Sequence, residues 1–159
     1  PINNYAGLNL DVCSEMLANK NTLMGLGDGG AHLSFISDAS FTTFLLSYWA
    51  RDRLYGRFSV EWAVRRLTSD NARFIGLHDR GELVPGKRAN VNLIDLDNLQ
   101  SGTPYMADDL PCGGKRMLQK ATGYRRTLVA GVTTYLDGEP TSALPGKLVR
   151  SSTMRSLKV

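Results

Sequence analysis

The spacing of hydrophobic residues predicts a helix followed by a buried strand near the start of the chain. Four apolar side chains recur at the helical period and would share one face: Leu10, Cys13, Met16 and Leu17. Turn-forming residues at positions 19–21 end this helix. A short, mainly apolar run follows at residues 22–26, and such a run without polar alternation is typical of a strand covered on both faces. A helix, a short loop and a buried strand form half of an α/β unit.

Three further helices are predicted in the first half of the chain. Asp38 or Ser40 can cap the first of them. The apolar stripe of this helix is rich in aromatic residues: Phe41, Phe44, Leu45, Tyr48 and Trp49. We interpret the stripe as hydrophobic core rather than as a ligand pocket. Ser59 caps a helix over residues 60–67, and a short helix over residues 71–75 ends before a glycine.

The second half of the chain has the alternation and the turn residues of β structure. Residues 89–96 predict a strand with Val91 and Leu93 on the same side. Two further β-rich runs, residues 127–130 and 132–136, are separated by a glycine and followed by an Asp-Gly turn. The change from helical to β patterning indicates that the chain has two structural parts.

The composition is that of an ordinary globular domain, with 42% hydrophobic and 21% charged residues in 159. No apolar stretch reaches the roughly 18 residues that a transmembrane helix needs. Cys13 and Cys112 match neither a disulfide framework nor a CxxC site, and we interpret them as reduced thiols of a cytoplasmic protein. The net charge is +4. Because no basic run is interleaved with aromatic residues, this charge predicts a solvated surface rather than nucleic-acid binding.

Asp28 is the first candidate for chemistry. It follows the predicted strand at its carboxyl end, where α/β folds place their functional residues. Glycines on both sides of Asp28 let the backbone turn sharply and let another molecule approach closely. From these residues alone, a strand followed by a tight Asp-Gly turn explains the pattern as well as a functional site does.

Three segments in the same order carry a family resemblance. Asp28-Gly29-Gly30-Ala31-His32 after an apolar strand resembles the last barrel strand of the amidohydrolase superfamily. Residues 78–92 and 107–124 resemble later passages of one branch, the N-acyl-D-amino-acid deacylases or D-aminoacylases. The match is imperfect at Asn90, where the family usually has Asp, and we expect a surface or turn role there. The resemblance extends over residues 1–150.

The resemblance implies an α/β fold in which the C-terminal part of a TIM-like (β/α)8 metallo-hydrolase barrel precedes part of a small β-sandwich domain. Residues 1–79 would supply the last barrel strand and its flanking helices. Residues 80–150 would form the small β domain, in which residues 107–116 are a loop lying back across the barrel mouth. Residues 151–159 are expected to be a flexible tail. A complete barrel needs about 250 residues, so this chain is too short to contain one.

The resemblance also implies roles for particular residues. Metal-dependent deacylation needs a cation that polarises the acyl carbonyl and a base that takes a proton from the attacking water. Asp28 would be this acid/base residue and a ligand of the metal, expected to be zinc. His32 lies in the same loop, where it is a candidate for substrate binding. We expect His78 to be structural, and Cys112 not to be a nucleophile, because no base can be argued for it.

The predicted function is therefore that of a C-terminal fragment of an amidohydrolase that cleaves N-acyl-D-amino acids to a carboxylate and a D-amino acid. The family's His-x-His pair and middle-strand histidines have no counterpart here. A zinc site with an activated water needs about three protein ligands, so we expect the fragment to be inactive alone. Expected partners are the small-molecule substrate and either the missing part of the barrel or a second copy, without nucleic acid or membrane. Two alternatives stay open: a non-catalytic binding or assembly module, and a fragment of a dihydropyrimidinase-like hydrolase of cyclic amides.

Overall fold

The computed structural model describes residues 9–25, 27–30, 32, 34–36 and 38–149. Its α-helices and its π-helix all precede its strands along the sequence. Four α-helices are present in this part of the chain: α1 (Asp11–Ala18), α2 (Phe41–Phe44), α3 (Val60–Leu67) and α4 (Ser69–Phe74). A 3-10 turn, Asp38–Ser40, leads into α2, and the π-helix Leu45–Asp52 continues from it. Each described helix is too short or too polar to cross a membrane.

The start of α3 confirms a capping prediction. The Ser59 hydroxyl accepts a hydrogen bond of 3.1 Å from the backbone amide of Trp62, which satisfies one of the free amides of the first turn. The end of the following helix also agrees, since Gly76 has a φ of 77°, a conformation that favours glycine. Local sequence chemistry is therefore sufficient to set these two boundaries.

The hydrophobic core lies mainly beneath α2 and the π-helix. Its buried members come from the residue 22–25 segment, the π-helix, α3 and the loop before the second strand: Met24, Leu45, Leu46, Trp49, Ala50, Ala63 and Leu99. Most of the predicted stripe packs inward, but Phe44 remains 44% exposed. The interpretation of the stripe as core is confirmed for Leu45 and Trp49, which are 4% and 5% exposed.

Eight short strands form three antiparallel sheets. The strands are β1 (Val91–Ile94), β2 (Gln100–Ser101), β3 (Tyr105–Leu110), β4 (Gly114–Leu118), β5 (Ala121–Thr122), β6 (Tyr124–Val129), β7 (Val132–Leu136) and β8 (Glu139–Pro140). One sheet has the order β1-β6-β7-β8, and the other two are the pairs β2-β5 and β3-β4. The two β-rich runs that a glycine separates form β6 and β7, which pair as a hairpin with its turn at Ala130 and Gly131.

The prediction that Val91 and Leu93 share one side of β1 agrees with the pairing to β6, which is regular from Val91 to Leu93 and shifts only after Leu93. This side is not fully buried, since Leu93 is 50% exposed. One prediction about the β part was wrong. The segment 107–116, predicted as a loop, forms most of the β3-β4 hairpin. Its main-chain groups pair with each other, and the Arg116 guanidinium donates two hydrogen bonds to Asp109, which hold the hairpin closed.

The predicted barrel strand at residues 22–26 was also wrong as a paired strand. Residues 22–25 belong to no sheet in the described part of the chain, and Leu26 lies outside it. Side chains from the helices bind this segment instead: Asn71 donates a hydrogen bond to the carbonyl of Met24, and Arg66 donates to the carbonyl of Thr22. A strand needs a neighbouring strand for its backbone groups, and side chains of α3 and α4 take that place here.

The helical and β parts meet at the loop between β1 and β2. Arg51, in the π-helix, extends its guanidinium to this loop, where Nη1 donates to the carbonyls of Leu96 and Leu99, the latter at 2.8 Å. Behind the loop, Gly123 has a φ of 91°, and a Cβ there would lie 2.6 Å from the Cα of Leu99. A hydrogen bond of 2.9 Å between the hydroxyls of Thr43 and Tyr124 adds a second link. The predicted domain division after residue 79 stays a prediction.

Candidate active-site loop

Asp28 lies on an exposed loop, and its backbone is held by one specific contact. The amide of Asp28 donates a hydrogen bond of 2.9 Å to Oδ2 of Asp38, at the start of the 3-10 turn. The Asp28 carboxylate itself is exposed to solvent. The anchoring bond therefore uses the main chain and leaves the side chain free to meet a ligand.

The glycines around Asp28 allow this loop to lie close to the following helix. A Cβ on Gly27 would be 2.6 Å from the carbonyl oxygen of Asp38, and a Cβ on Gly29 would be 2.9 Å from the amide nitrogen of Ala39. Real Cβ atoms do not come so near to backbone, so both positions require glycine for packing. The glycine-rich sequence thus has a local structural cause, which is the close approach of the loop to residues 38–39.

His32 is exposed and has a φ of 51°, in the left-handed region that is uncommon for residues other than glycine. Its carbonyl accepts a hydrogen bond of 2.9 Å from the amide of Phe35, which closes a turn. Among the hydrogen bonds of the described residues, none joins His32 to Asp28. The role of His32 in substrate binding stays a prediction.

The residues in the described ranges do not assemble a metal site. No group of three or more His, Cys, Asp or Glu side chains comes together there in a way that could hold a metal ion. Zinc in proteins takes three or four such ligands. Asp28 can supply one oxygen ligand, so the described residues do not by themselves fit the zinc ion that the family resemblance implies.

Two other residues that the sequence analysis considered, His78 and Cys112, belong to other parts of the chain. His78 is exposed, beyond α4, on the rim of a groove of about 550 Å³ that also contains Arg80, Arg88 and Lys147. Cys112 is exposed at the tip of the β3-β4 hairpin, with a φ of 60°. Within the described part of the chain, the side chain of neither residue makes a hydrogen bond that would activate it for catalysis.

Comparison with known proteins identifies the family of this chain. The model of the Amidohydrolase family matches residues 3–135, which is most of the chain. This chain belongs to the amidohydrolase family. Among curated proteins, none matches it at a significant level.

Two solved structures resemble this amidohydrolase chain. One is a D-aminoacylase whose crystal structure defines a subset of amidohydrolases, and the other is a mutant of D-aminoacylase in complex with copper chloride. Each has 26% sequence identity and a TM-score of 0.48, over 64% of this chain. The chain spans only 19% of the length of each of these structures.

Sequence reasoning did not identify the role of Asp38. Its position before a helix predicted a cap, but its carboxylate accepts the amide of Asp28, and the neighbouring Ser40 makes no capping hydrogen bond through its side chain. An Asp placed ten residues after another carries no periodic signal. Only the folding back of the glycine loop brings the two residues together.

Proposed function

We propose that this chain is part of a metal-dependent amidohydrolase that cleaves the amide bond of N-acyl-D-amino acids, releasing a carboxylate and a D-amino acid. The match of the amidohydrolase family model over residues 3–135 carries this proposal. The three deacylase-like segments of the sequence support the D-aminoacylase branch in particular. Because the chain spans a small share of the solved D-aminoacylases, the activity is proposed for the polypeptide as a whole.

Asp28 is the proposed acid/base residue. In amide hydrolysis, the oxygen of water bonds to the acyl carbon, the carbon–nitrogen bond breaks, and one proton moves from the water to the leaving nitrogen. A carboxylate within hydrogen-bond reach of both atoms can take that proton and then give it up. The exposure of the Asp28 side chain and the anchoring of its amide by Asp38 support this role, because the group is accessible while its backbone is held.

Zinc is the proposed cofactor, with Asp28 as one ligand. The other ligands would come from sequence outside the described residues, because those residues bring no three ligands together. His32 is proposed to contact the substrate from the same loop. The cytoplasmic location and the need for a further part of the barrel or a second copy belong to the same proposal.

The proposal is tested by measuring release of D-amino acid from N-acetyl-D-amino acids. The assay compares the 159-residue chain with the polypeptide that includes any sequence preceding it in the gene. Asp28→Asn in the longer polypeptide should lower kcat by about 100-fold or more, because a positioned acid/base group contributes on the order of 10²–10⁴. Asp137→Asn, at an exposed residue of the turn between β7 and β8, is the matched control and should leave kcat unchanged.

The outcomes separate the proposal from its alternatives. Activity on N-acyl-D-amino acids that depends on Asp28 supports the proposal. Turnover of cyclic amides alone would favour the dihydropyrimidinase-like alternative, and full activity of Asp28→Asn would contradict the assigned role. A longer polypeptide that hydrolyses neither class, while remaining folded, would favour a binding or assembly module.

A further inference from the structure

A second groove on the helical part of the chain is both basic and aromatic. It has a volume of about 570 Å³ and lies between the residue 18–23 segment and helices α3 and α4. The residues that decide its chemistry are Lys20, Trp62, Arg65, Arg66, Asp70, Arg73 and Phe74. Its volume falls within the range of small-molecule sites, which is about 300–1,000 Å³.

The groove carries more positive charge than its carboxylates neutralise. Asp70 is shared by two guanidinium groups, with Nε of Arg65 at 3.0 Å and Nη1 of Arg66 at 3.6 Å. Arg73 pairs with Glu82 at the edge of the groove, and Lys20 forms no ion pair among the described residues. Four cations therefore face two carboxylates, and a charge of about +2 remains to attract an anion.

Arg66 forms the rigid base of this groove. The residue is only 8% exposed, and its guanidinium lies over the Trp62 ring with the Arg66 Cζ atom 5.5 Å from the ring centroid. Its Nη2 donates to the carbonyl and, at 3.0 Å, to the hydroxyl of Thr22. The Nε atom of Arg66 is buried and has no hydrogen-bond partner among the residues that the structure describes. The positive charge of Arg66 is thus held in place before any ligand binds.

Two aromatic rings provide flat surfaces beside this charge. Trp62 is held by stacking on Phe58, with ring centroids 4.1 Å apart and planes inclined by 19°. Phe74 is 75% exposed at the edge of the groove, where most of its apolar ring meets water. A planar group that covers Phe74 would remove this apolar surface from water.

We propose that this groove binds a small organic phosphate monoester that carries a planar ring. A phosphate monoester has a charge of about −1.5 to −2 at pH 7, which matches the excess of positive charge. Its oxygens would accept hydrogen bonds from Lys20 and Arg65, whose exposed heads can move toward a ligand. The ring would lie against Phe74. This site is independent of Asp28 and of the proposed hydrolysis.

The two tryptophans of the chain allow a direct test on the 159-residue protein. Trp62 lines the groove, whereas Trp49 is 5% exposed in the core and is absent from the groove lining. The indole N–H resonances are followed by NMR during titration with phenyl phosphate at constant ionic strength. The Trp62 resonance should shift to saturation while that of Trp49 stays in place. Sodium chloride at the same ionic strength must not reproduce the shift.

Three comparisons make the test decisive. Lys20→Gln and Arg65→Gln should each weaken phenyl phosphate binding about 10-fold, as expected for one charge-assisted hydrogen bond. Arg126→Gln removes an exposed positive charge from β6 and should leave binding unchanged. Inorganic phosphate should bind about 10-fold more weakly, because it lacks the ring.

Some results would overturn the proposal. These are no saturable shift of Trp62, equal binding of inorganic phosphate, or equal weakening by Arg126→Gln. The affinities of adenosine monophosphate and free phosphotyrosine distinguish the source of the ligand. Tighter binding of adenosine monophosphate identifies a nucleotide, and tighter binding of phosphotyrosine identifies a phosphorylated aromatic amino acid.

Discussion

Arg51 joins the π-helix to the β part, and its replacement by methionine is expected to destabilise the fold. The Nη1 group donates to the carbonyls of Leu96 and Leu99, with a longer contact of 3.2 Å to that of Asp97. One nitrogen with two hydrogens can make two good bonds at a time. Two hydrogen bonds from a charged donor would contribute about 3–6 kcal/mol at most.

The expected loss is smaller than this upper limit. The Arg51 side chain is 24% exposed, so water can reach part of the loop and replace some of the lost bonds. Its ion pair with the exposed Asp52 adds little, because exposed pairs are screened. We expect Arg51→Met to lower the free energy of unfolding by about 2–3 kcal/mol. Arg51→Lys should recover less than half of the loss, because an ammonium group cannot reproduce the planar arrangement of donors.

Urea unfolding followed by tryptophan fluorescence measures this loss, since Trp49 lies buried in the same π-helix. Arg126→Met is the control, because this exposed side chain on β6 forms no ion pair among the described residues, and it should change stability by no more than about 0.5 kcal/mol. The reasoning is refuted if Arg51→Met costs less than about 1 kcal/mol with an unchanged m-value. An equal loss in both variants would refute it as well.

Two further predictions concern carboxylates. Asp38→Ala removes the hydrogen bond that the Asp28 amide donates, so the hydrogen-exchange rate of this amide should increase about fivefold. An unchanged exchange rate would mean that Asp38 does not hold the loop. Hydrogen bonds to the Asp95 carboxylate, first from Asn98 and then from Arg125, lower the pKa of Asp95. The ionised Asp95 therefore stabilises the fold above its unfolded-state pKa of about 3.9, and this stabilisation is lost as the pH falls through the lower folded-state pKa. The urea concentration at the midpoint of unfolding should therefore decrease as the pH is lowered below about 5, and it should decrease less steeply in Asp95→Asn. Parallel plots of this midpoint against pH for the two proteins would contradict the prediction.

The Asp28 loop and the basic groove at Trp62 and Arg66 differ in how rigidly the chain holds them. The Asp28 loop rests on one hydrogen bond, from the Asp28 amide to the Asp38 carboxylate, and on the packing of glycines, and the Asp28 carboxylate meets solvent. The basic groove rests on a buried arginine that is held by an aromatic ring and by backbone carbonyls. Arg66 and Trp62 are therefore held in place before the proposed ligand binds, whereas the proposed catalysis by Asp28 relies on further protein around it.

The sequence by itself determined the features that depend on neighbouring residues. The Ser59 cap, the glycine at the end of α4 and the β6-β7 hairpin all follow from local backbone preferences, which act over a few residues. Three segments taken together, residues 28–32, 78–92 and 107–124, also predicted the family, which the match over residues 3–135 confirms. These signals need no knowledge of distant contacts.

Only the tertiary structure decided which distant groups meet. Residues 22–25 have the composition of a strand, yet side chains of α3 and α4 bind their carbonyls, because pairing depends on what lies beside a segment. The contacts of Asp38 with Asp28 and of Arg51 with the loop before β2 have no periodic signature in sequence. The basic groove likewise collects charges from three separate segments, and their sum becomes a binding property only when the chain folds.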